Sequence, residues 1–519
     1  MRHAHDSLWL QLFELPLQPA LPLQARLRAA VVREIQAGRL VAGTALPSSR
    51  DLSRLMGLSR NTVTAAYQQL VDDGYLQARP RSGVFVQHGA RAAVARELPA
   101  APLAKPASAR PPDWSQRVLR SLHGKPTLSK PARWRDAPYP FVYGQHDPDL
   151  FPAEDFRECC VRTLTRAQLE HWTPDLDTDD LPDLIEQIRL RVLPKRGVVA
   201  LADEILVTVG AQQAFHLLAE ALIDRRSRVG FEDPGYPHAR NCLGLRKPRW
   251  LPLSVDVEGV VVDELPSLDY VFVTPSQQSP TTVALSLDRR RALLQRADAE
   301  NFIVIEDDYE AENLFEGEPM PALKSLDRSG RVVYVGSLAK SLSPALRLGY
   351  IVAPRALVAE LRLLRHVMVR HPSAFLQHAF ALYLSLGHHE SHARRANQAM
   401  RSRMALAVAG LRRHLPEFEF RQPQGGASIW VQAPAWVDAA ELATTARRHG
   451  VLIESGEAFY FEPPCPCPSF RLRLSSILPQ RIDAGLAALS AAVDELALAR
   501  GVERPRSSMP KRPPQSPNR

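Results

Sequence analysis

The sequence predicts a large α/β domain with a largely parallel sheet, preceded by a small domain of helices and a hairpin. From Phe141 onward, apolar strand-like runs alternate with helical patterns, which is typical of such a sheet. Before residue 89, helical segments are followed by two short strands. The length of 519 residues agrees with about three globular units, and a hydrophobic content of 45% is typical of a soluble globular protein.

The small domain is expected to contain three helices and a hairpin. Its helices are expected at residues 22–37, 48–57 and 59–74, and its strands at residues 75–77 and 84–86. The first helix repeats its apolar residues at helical spacing and ends at Gly38, whereas Ser48 and Ser59 are candidate caps for the other two helices. This order of elements is the plan of a winged helix-turn-helix domain.

The third helix has polar residues in its first turn, namely Ser59, Arg60, Asn61 and Thr62. A recognition helix places its N-terminal residues against base edges in the major groove, and these residue types are suited to that contact. Arg50 and the arginine-rich hairpin turn would neutralise phosphates. A polar helix start also occurs in proteins that bind no DNA, so the spacing alone leaves both interpretations open.

The net charge of +9 is unevenly distributed along the chain. Residues 1–89 contribute +4, residues 90–136 contribute +7, residues 500–519 contribute +5 and residues 137–499 contribute −7. This asymmetry suggests that the front of the chain meets a polyanion, although basic linkers can also simply be solvated. The expected parts are a DNA-binding domain (1–88), a flexible basic Ala/Pro-rich linker (89–136), the large domain (137–499) and a disordered basic tail (500–519).

Residues 331–352 hold the central candidate for chemistry in the large domain. A buried strand at residues 332–335 runs into a small-residue loop that contains one lysine, Lys340. Burial lowers the pKa of an amine and makes it a nucleophile toward an aldehyde, which is Schiff-base chemistry. Ser337 and Arg347 could hold a phosphate near that aldehyde. The alternative is an ordinary strand-to-loop turn with a solvated lysine.

Polar groups also follow other strands of the large domain. The candidates are Gly210, Ala211 and Gln212 at a helix start, Tyr236 in a turn, and Asp307 with Tyr309 after a buried strand. The free amides of a helix start form an anion site. An aspartate at a strand end can hold a pyridinium proton, and tyrosines can reach a ring oxygen or stack on a flat ring. Each feature also has an ordinary structural explanation.

The segment LPSSRDLSRLMGLSRNTVTAAYQQLVDDGYLQARPRSGVFV resembles the DNA-binding domain of GntR-family regulators over about residues 20–88. The resemblance implies that double-stranded DNA is a partner of this chain. It carries the family's DNA-contacting positions over to Arg50, Ser59, Arg60, Asn61, Thr62 and the wing glycine Gly83.

The candidates of the large domain, taken in chain order, resemble the pyridoxal-phosphate site of fold-type I aminotransferases. Residues 141–498 resemble that whole domain, a mostly parallel sheet followed by a small C-terminal α+β domain, and the full chain resembles the MocR/GabR group of regulators. The resemblance implies pyridoxal 5'-phosphate as cofactor and a homodimer with composite sites. In those terms, the phosphate would be held by Gly210, Ala211, Gln212, Ser337 and Arg347.

The same resemblance assigns the remaining roles around the cofactor. Lys340 would form the internal aldimine, Asp307 would hold the ring nitrogen, Tyr309 would bond the ring oxygen and Tyr236 would stack on the ring. Arg471 falls where the family places the arginine that clamps a ligand carboxylate. Arg473 is the competing choice, because strand alternation puts both arginines on one face.

Three positions depart from the family pattern. The chain reads Ser-Pro-Thr-Thr at residues 279–282 where aminotransferases commonly have Asn-Pro-Thr-Gly, so the asparagine contact to the ring oxygen is missing. Gln277 stands where regulators of this group often have a histidine. Trp172 lies near the position of a tyrosine that typically reaches the partner subunit's phosphate, which puts that cross-subunit contact in doubt.

No metal site, disulfide framework or membrane segment is expected. The histidines between residues 366 and 392 have no metal-ligand spacing and are expected on solvated helix faces. The five cysteines are too few and too badly spaced for a disulfide framework, and Cys465 with Cys467 is expected in a surface loop. The first residues have too interrupted an apolar segment for a secretory signal, so a cytoplasmic location is expected.

The combined expectation is a transcription regulator that senses a small amine or amino acid. The compound would displace Lys340 from the cofactor aldehyde as an external aldimine, and the change would reach the DNA-binding domains through the linker. The alternative is an active aminotransferase with an appended DNA-binding domain. A further alternative is a DNA-binding protein whose large domain only dimerises and binds no cofactor.

Overall fold

The computed structural model divides the chain into two compact units, residues 1–119 and residues 120–519. The described residues are 9, 22–80, 82–87, 113–118, 121–128, 130–142, 147–310, 315, 320–338, 340 and 342–504. Among them, no helix is both long and apolar enough to cross a membrane. Each unit has its own buried apolar core.

The first unit consists of helices and an antiparallel hairpin. Its elements are α1 Leu23–Gln36, α2 Ser49–Met56, α3 Arg60–Asp72, β1 Leu76–Arg79, β2 Gly83–Val86 and the short α4 Trp114–Arg117. The side chains of Ser48 and Ser59 cap α2 and α3 by accepting backbone amides of their first turns. The predicted winged helix-turn-helix plan is confirmed.

One face of α3 forms the centre of the first unit. Val63, Ala66 and Leu70 are fully buried in its core. Tyr67 is buried on the same face, and its hydroxyl donates a hydrogen bond of 3.0 Å to the carbonyl of Pro47, immediately before the cap of α2. The opposite face of α3 is therefore the one available to a partner.

The second unit is built on a mixed eight-stranded sheet. Its strands are β4 Ile205–Thr208, β5 Arg228–Asp233, β6 Arg249–Asp256, β7 Gly259–Val260, β8 Tyr270–Val273, β9 Ile303–Asp307, β10 Val332–Ser337 and β11 Gly349–Val352. Their order is β4-β11-β10-β9-β8-β5-β6-β7. The strands from β10 through β6 run parallel, whereas β11 lies antiparallel between β4 and β10. The predicted α/β class with a mostly parallel sheet is confirmed.

Helices cover this sheet and continue into a smaller lobe. They are α5 Ala153–Thr163, α6 Arg166–Trp172, α7 Pro182–Gln187, α8 Gly210–Leu222, α9 Pro237–Gly244, α10 Leu287–Glu300, α11 Leu323–Leu326, α12 Arg355–Val369, α13 Ala374–Ser385, α14 His388–His414, α15 Ala439–Arg448 and α16 Pro479–Arg500. Short turns of 3-10 or π helix extend several of them. Helices α14, α15 and α16 share the core of the smaller lobe with its strands.

The smaller lobe, called the C-terminal lobe below, contains a four-stranded antiparallel sheet. Its strands are β12 Glu419–Phe420, β13 Ser428–Gln432, β15 Glu454–Ser455 and β16 Ser469–Arg473, in the order β12-β13-β16-β15. A separate parallel pair joins β3 Tyr139–Pro140 to β14 Val451–Leu452. Trp134, which lies within the predicted linker, is buried against Val142 and Leu452.

Hydrogen-bond register brings the predicted chemistry to one edge of the large sheet. Val335 on β10 lies opposite Asp307, the last residue of β9. Ser337 ends β10 opposite Gly349, and Gly349 lies opposite Thr208 just before α8. The ends of β4, β9 and β10 therefore meet where parallel sheets bind their ligands.

Two sequence expectations are wrong. The histidines of residues 366–392 are not all on solvated faces, because His378, His389 and His392 are buried on α13 and α14, which pack between other helices. Cys465 is exposed as expected, whereas Cys467 is buried, because its amide donates to Asp438 at the start of α15.

The predicted linker and tail lie partly outside the described residues. Residues 89–112, 119, 120 and 129 of the predicted linker and residues 505–519 of the predicted tail lie outside the described residues. Arg504, near the start of the predicted tail, is held by Glu417 and Asp494. The exact domain limits stay predictions.

Candidate functional site

The candidate DNA surface is the start of α3 in the first unit. The side chains of Arg60 and Asn61 in the first turn of α3, and of Arg50 on α2, are exposed, as contact with DNA requires. Ser59 is engaged in capping: its hydroxyl accepts the Thr62 amide at 3.1 Å and lies 2.8 Å from the Thr62 hydroxyl. Arg60 and Asn61, rather than the capping pair of Ser59 and Thr62, are therefore the candidates on α3 for reading bases.

The hairpin supplies a second candidate contact for DNA. Gly83 opens β2 with φ of 111°, in the range that favours glycine, and a Cβ added there would meet nothing within 4 Å. The guanidinium of Arg79 lies 4.6 Å from the centre of the Phe85 ring. This stacking holds the Arg79 cation on the hairpin, where it could contact a DNA phosphate.

Lys340 lies in the loop after β10, close to the end of β9. Its Nζ is 3.3 Å from Glu310 Oε1 and 3.8 Å from the centre of the Tyr309 ring. Burial lowers the pKa of Lys340 to about 8, and the positive charge of Arg473 acts in the same direction, whereas Glu310 and Asp307 oppose the shift. The amine is therefore more easily freed of its proton than an ordinary lysine.

Asp307 ends β9 beside Lys340 and is buried. Burial raises the pKa of its carboxyl to about 7, which the charge of Lys340 partly offsets. The carboxylates on either side have other partners: Glu306 accepts the amides that start α11, and Asp308 accepts Arg196 and Tyr334. Of these three acids, Asp307 is the one whose charge is directed toward Lys340.

An anion cradle lies where α8 begins. Gly210 has φ of 71°, and a Cβ added to it would lie 3.0 Å from Arg347 Cζ. Arg347 Nη2 donates to the carbonyl of Val209 at 3.3 Å. A Cβ on Gly349 would come within 3.1 Å of the Ala211 amide nitrogen. The free amides of a helix start and one guanidinium thus share a space that side chains would fill.

The other predicted cradle residues have less definite geometry. Ser337 is half-buried at the end of β10, and Gln212 is exposed in the first turn of α8. Ser337 is on the strand that ends at the cradle, and Gln212 is on the helix that begins there. Tyr236 is the residue that precedes α9, and its ring centre is 5.5 Å from that of His238.

His238 was not singled out in the sequence. Burial lowers the pKa of His238, and the positive charge of Arg471 lowers it further, while Glu454 opposes the shift. The ring therefore lies near the pair formed by Arg471 and Glu454. Its position two residues after Tyr236, at the start of the same helix, is the only sequence signal for it.

The two candidate arginines of β16 have different partners. Arg471 Nε donates to Glu454 Oε2 at 2.7 Å, and its guanidinium lies 4.8 Å from the centre of the Phe459 ring. Arg473 donates to Ser428 at 2.8 Å and to Glu310 at 3.3 Å. Arg473 and Lys340 therefore share a carboxylate and line one cavity, whereas Arg471 is engaged on the neighbouring strand β15.

Two positions that depart from the family pattern have structural partners. Gln277 is buried, and its amide donates to the carbonyl of Gly425 at 2.9 Å, which joins the large sheet to the C-terminal lobe. Trp172 donates to the carbonyl of Thr163 at 2.8 Å and packs edge-on against Phe375. Within the described part of the chain, no group of His, Cys, Asp or Glu could hold a metal ion.

Comparison with known proteins places both units in families. Residues 165–489 match the class I and II aminotransferases, and residues 23–86 match the gntR family of bacterial regulatory proteins. The HTH-type transcriptional regulator TauR of Rhodobacter capsulatus is 41% identical over 473 residues, which cover 91% of this chain and 96% of that protein. The probable rhizopine catabolism regulatory protein MocR of Rhizobium meliloti is 32% identical and covers 76% of this chain and 78% of its own length.

A solved structure gives the fold relationship of the large unit. LysN, an alpha-aminoadipate aminotransferase from Thermus thermophilus complexed with N-(5'-phosphopyridoxyl)-L-leucine, is 26% identical with a TM-score of 0.67. The match covers 75% of this chain and 100% of LysN.

Proposed function

This chain belongs to the MocR-type transcriptional regulators, with a GntR-type DNA-binding domain and an aminotransferase-like domain, and we propose that it binds pyridoxal 5'-phosphate on Lys340 to sense a small amino compound. The observation that carries the proposal is the position of Lys340 beside Asp307 and Tyr309 at the edge of the large sheet. A DNA-binding domain on the same chain makes that site a sensor.

The residues present fit the cofactor in three respects. The cradle of Gly210 and Arg347 leaves space that a Cβ would fill, which suits a phosphate. Asp307 is a buried carboxyl near the lysine, suited to a pyridinium nitrogen. Lys340 has its pKa lowered to about 8 by burial, so a minor fraction of neutral amine is present near pH 7 to attack an aldehyde, more than in an ordinary lysine.

The cofactor supplies an aldehyde that exchanges one amine for another. Lys340 provides the resident amine, and a ligand amine competes with it for the same carbon. Tyr236 would pack on the ring, and Tyr309, whose hydroxyl pKa is raised by burial, would keep its proton for the ring oxygen. The amines that enter and leave thus contact the same side chains.

An acidic group of the ligand would meet an arginine of β16. Arg473 and Lys340 both contact Glu310, which places the guanidinium of Arg473 next to Lys340. This proximity supports Arg473 as the arginine that binds the acidic group. Arg471 remains the alternative carried over from the family. Its pairing with Glu454 and its proximity to His238 support a position at the edge of the site.

A homodimer is part of the proposal. Two copies would present two recognition helices to paired half-sites on DNA. Exposed apolar side chains on the second unit, which include Leu190, Val199 and Leu201, support a surface there that a second copy of the chain covers. A regulator of this kind acts where the chromosome is, so we also propose a cytoplasmic location.

An active aminotransferase is the second candidate function. It is favoured by the match of residues 165–489 to the class I and II aminotransferases and by the presence of a lysine that could move a proton. Sustained formation of keto acid over many turnovers would support it. A DNA-binding protein without cofactor would instead be colourless after purification.

The experiment that tests the proposed function is reduction of the purified protein with borohydride followed by peptide mass spectrometry. A phosphopyridoxyl adduct on Lys340 is expected after saturation with cofactor. The unreduced holoprotein, assayed by mobility shift on DNA upstream of its own gene, should respond to a member of a panel of amino compounds. No adduct on Lys340 would contradict the proposal.

A further inference from the structure

Glu310 joins Lys340 to Arg473 through a single oxygen atom. Its Oε1 lies 3.3 Å from Lys340 Nζ. The same oxygen accepts a hydrogen bond of 3.3 Å from Arg473 Nη2. The side chain of Glu310 is only 2% exposed and that of Lys340 is 18% exposed, so solvent and salt screen this cluster weakly.

The groups around Lys340 Nζ act on its proton in opposite directions. Glu310, the carboxylate of Asp307 and the face of the Tyr309 ring at 3.8 Å all favour the ammonium form. Burial and the guanidinium of Arg473 favour the neutral amine. Glu310 is the strongest of the groups that retain the proton, and the only one with an atom in salt-bridge contact with Nζ among the described residues.

The protonation state of Lys340 Nζ determines whether the site can act as an enzyme or only as a sensor. In an aminotransferase the lysine displaced by the substrate must have a free electron pair, because it takes the proton from the substrate Cα. A lysine that already carries its full set of protons cannot act as this base. The proton on Nζ therefore decides whether exchange of amines is followed by chemistry.

We propose that Glu310 holds the displaced Lys340 amine in its ammonium form, so that the site exchanges amino ligands without moving the Cα proton. This inference rests on the proposed function, since it concerns the same cofactor site. It assigns Glu310 as a positioning residue that acts through Lys340. Its consequence is a site that reports the presence of a ligand and leaves that ligand intact.

The protons balance within the site. Exchange forms a bond between the ligand nitrogen and the aldehyde carbon and breaks the bond between that carbon and Lys340 Nζ. The ligand ammonium gives up three protons in all, one before its nitrogen attacks and two as its bond to the carbon becomes double. Lys340 Nζ takes up three protons as it is displaced, the last of which makes it an ammonium. Glu310 stabilises that proton where it arrives. An acidic ligand bound to Arg473 neutralises part of the arginine's positive charge. Lys340 is then the main cation that remains beside Glu310.

The first test measures the proton on Lys340 without any turnover. The cofactor-free full chain is labelled with a small amine-reactive reagent across a range of pH, and the Lys340 peptide is quantified by mass spectrometry. Glu310→Gln should move the midpoint of Lys340 labelling down by about one pH unit, which corresponds to about ten-fold faster labelling at a fixed lower pH. Glu310→Asp, which keeps the charge, should fall between Gln and wild type.

The second test follows the ligand. With a compound that changes the visible spectrum of the wild-type holoprotein, Glu310→Gln should convert the cofactor to its amine form with release of keto acid at least about ten-fold faster. Glu417→Gln is the matched control, because Glu417 is a glutamate with little exposure in the same unit and pairs with Arg504, away from the site. It should change neither readout.

The outcomes separate this inference from the proposed function. A wild-type protein that forms no borohydride adduct on Lys340 overturns the proposed function. A Gln variant that forms the adduct but labels Lys340 with the wild-type midpoint overturns the role of Glu310. If Gln fails to fold, an Asp variant with an unchanged midpoint and unchanged product formation overturns it equally.

Discussion

The guanidinium of Arg347 lies so close to Gly210 that a Cβ added to the glycine would sit 3.0 Å from Arg347 Cζ. Two residues 137 positions apart in the chain thereby form one wall of the anion cradle, because β11 returns antiparallel beside β4. The space between them exists only as long as position 210 has no side chain.

Gly210→Ala should weaken cofactor binding by at least about ten-fold, because the methyl group occupies the cradle and the residue has a positive φ of 71°. Titration of the cofactor-free chain with pyridoxal phosphate, followed by absorbance, measures the effect. Gly330→Ala is the matched control: its φ is 74°, and a Cβ there would meet nothing within 4 Å. Both variants should lose about 1 kcal/mol of stability from the backbone strain. Equal cofactor affinities for the two would contradict the cradle.

Lys340→Ala should abolish the visible absorbance of the purified protein without unfolding it, because the amine that reacts with the aldehyde is gone. Absorbance after dialysis and circular dichroism measure the two effects. Lys195→Ala, at a surface lysine near Glu390, should keep the colour. Yellow colour that resists dialysis in the Lys340 variant would show that another residue forms the link.

Arg60→Ala should weaken DNA binding by about 1–3 kcal/mol and leave the cofactor spectrum unchanged, since Arg60 is exposed at the start of α3 in the other unit. A mobility shift assay at fixed salt concentration checks this. Arg28→Ala on α1, where the arginine pairs with Asp73 at 3.6 Å, should lose less. If Arg60→Ala binds like wild type, the assignment of the recognition helix fails.

Arg473→Gln should lower the affinity for an acidic amino ligand by at least about ten-fold, because a charge-assisted contact beside Lys340 is lost. Arg471→Gln should lower it less and should mainly destabilise the protein, since it leaves Glu454 buried without its cation. Spectral titration with ligand and thermal unfolding distinguish the two. The reverse order of affinities would favour the family's assignment of Arg471.

Asp307→Asn should stabilise the cofactor-free chain in a pH-dependent way. Burial raises the pKa of Asp307 to about 7, so the folded chain keeps a proton that the unfolded chain releases, and ionisation opposes folding as the pH rises. The gain in stability should be small near pH 4 and reach its full size, on the order of a few kcal/mol, above pH 7.

Denaturant unfolding of the cofactor-free Asp307→Asn chain at several pH values measures this gain. The same variant should bind pyridoxal phosphate more weakly, because the pyridinium partner is lost. A gain of the same size at pH 4 and pH 8 would mean that the carboxyl does not titrate as its burial requires.

The sequence predicted the elements that begin or end at a strong local signal. Ser59 marked the start of α3 because a hydroxyl cap is a local feature, and the apolar run before Asp307 marked the end of β9. The antiparallel insertion of β11 into the sheet was not predicted, because strand order depends on long-range pairing that a single sequence does not reveal.

The contacts within the site were predictable only in part. Alternation along β16 put Arg471 and Arg473 on one face, but the partners Glu454 and Glu310 that distinguish them come from other strands and loops. The burial of His378 was missed, because α13 is enclosed by other helices and the polar residue has no periodicity that would reveal this. Glu310 was missed although it directly follows Tyr309.

The pairing of β3 with β14 attaches the end of the predicted linker to the C-terminal lobe. Residues 139 and 140 pair with residues 451 and 452 of the C-terminal lobe, and Trp134 in the predicted linker packs against Leu452 of the same lobe. Two residues later that lobe supplies Glu454, the partner of Arg471. The strand that follows the predicted linker is therefore attached to the same lobe that holds the pair of Arg471 and Glu454.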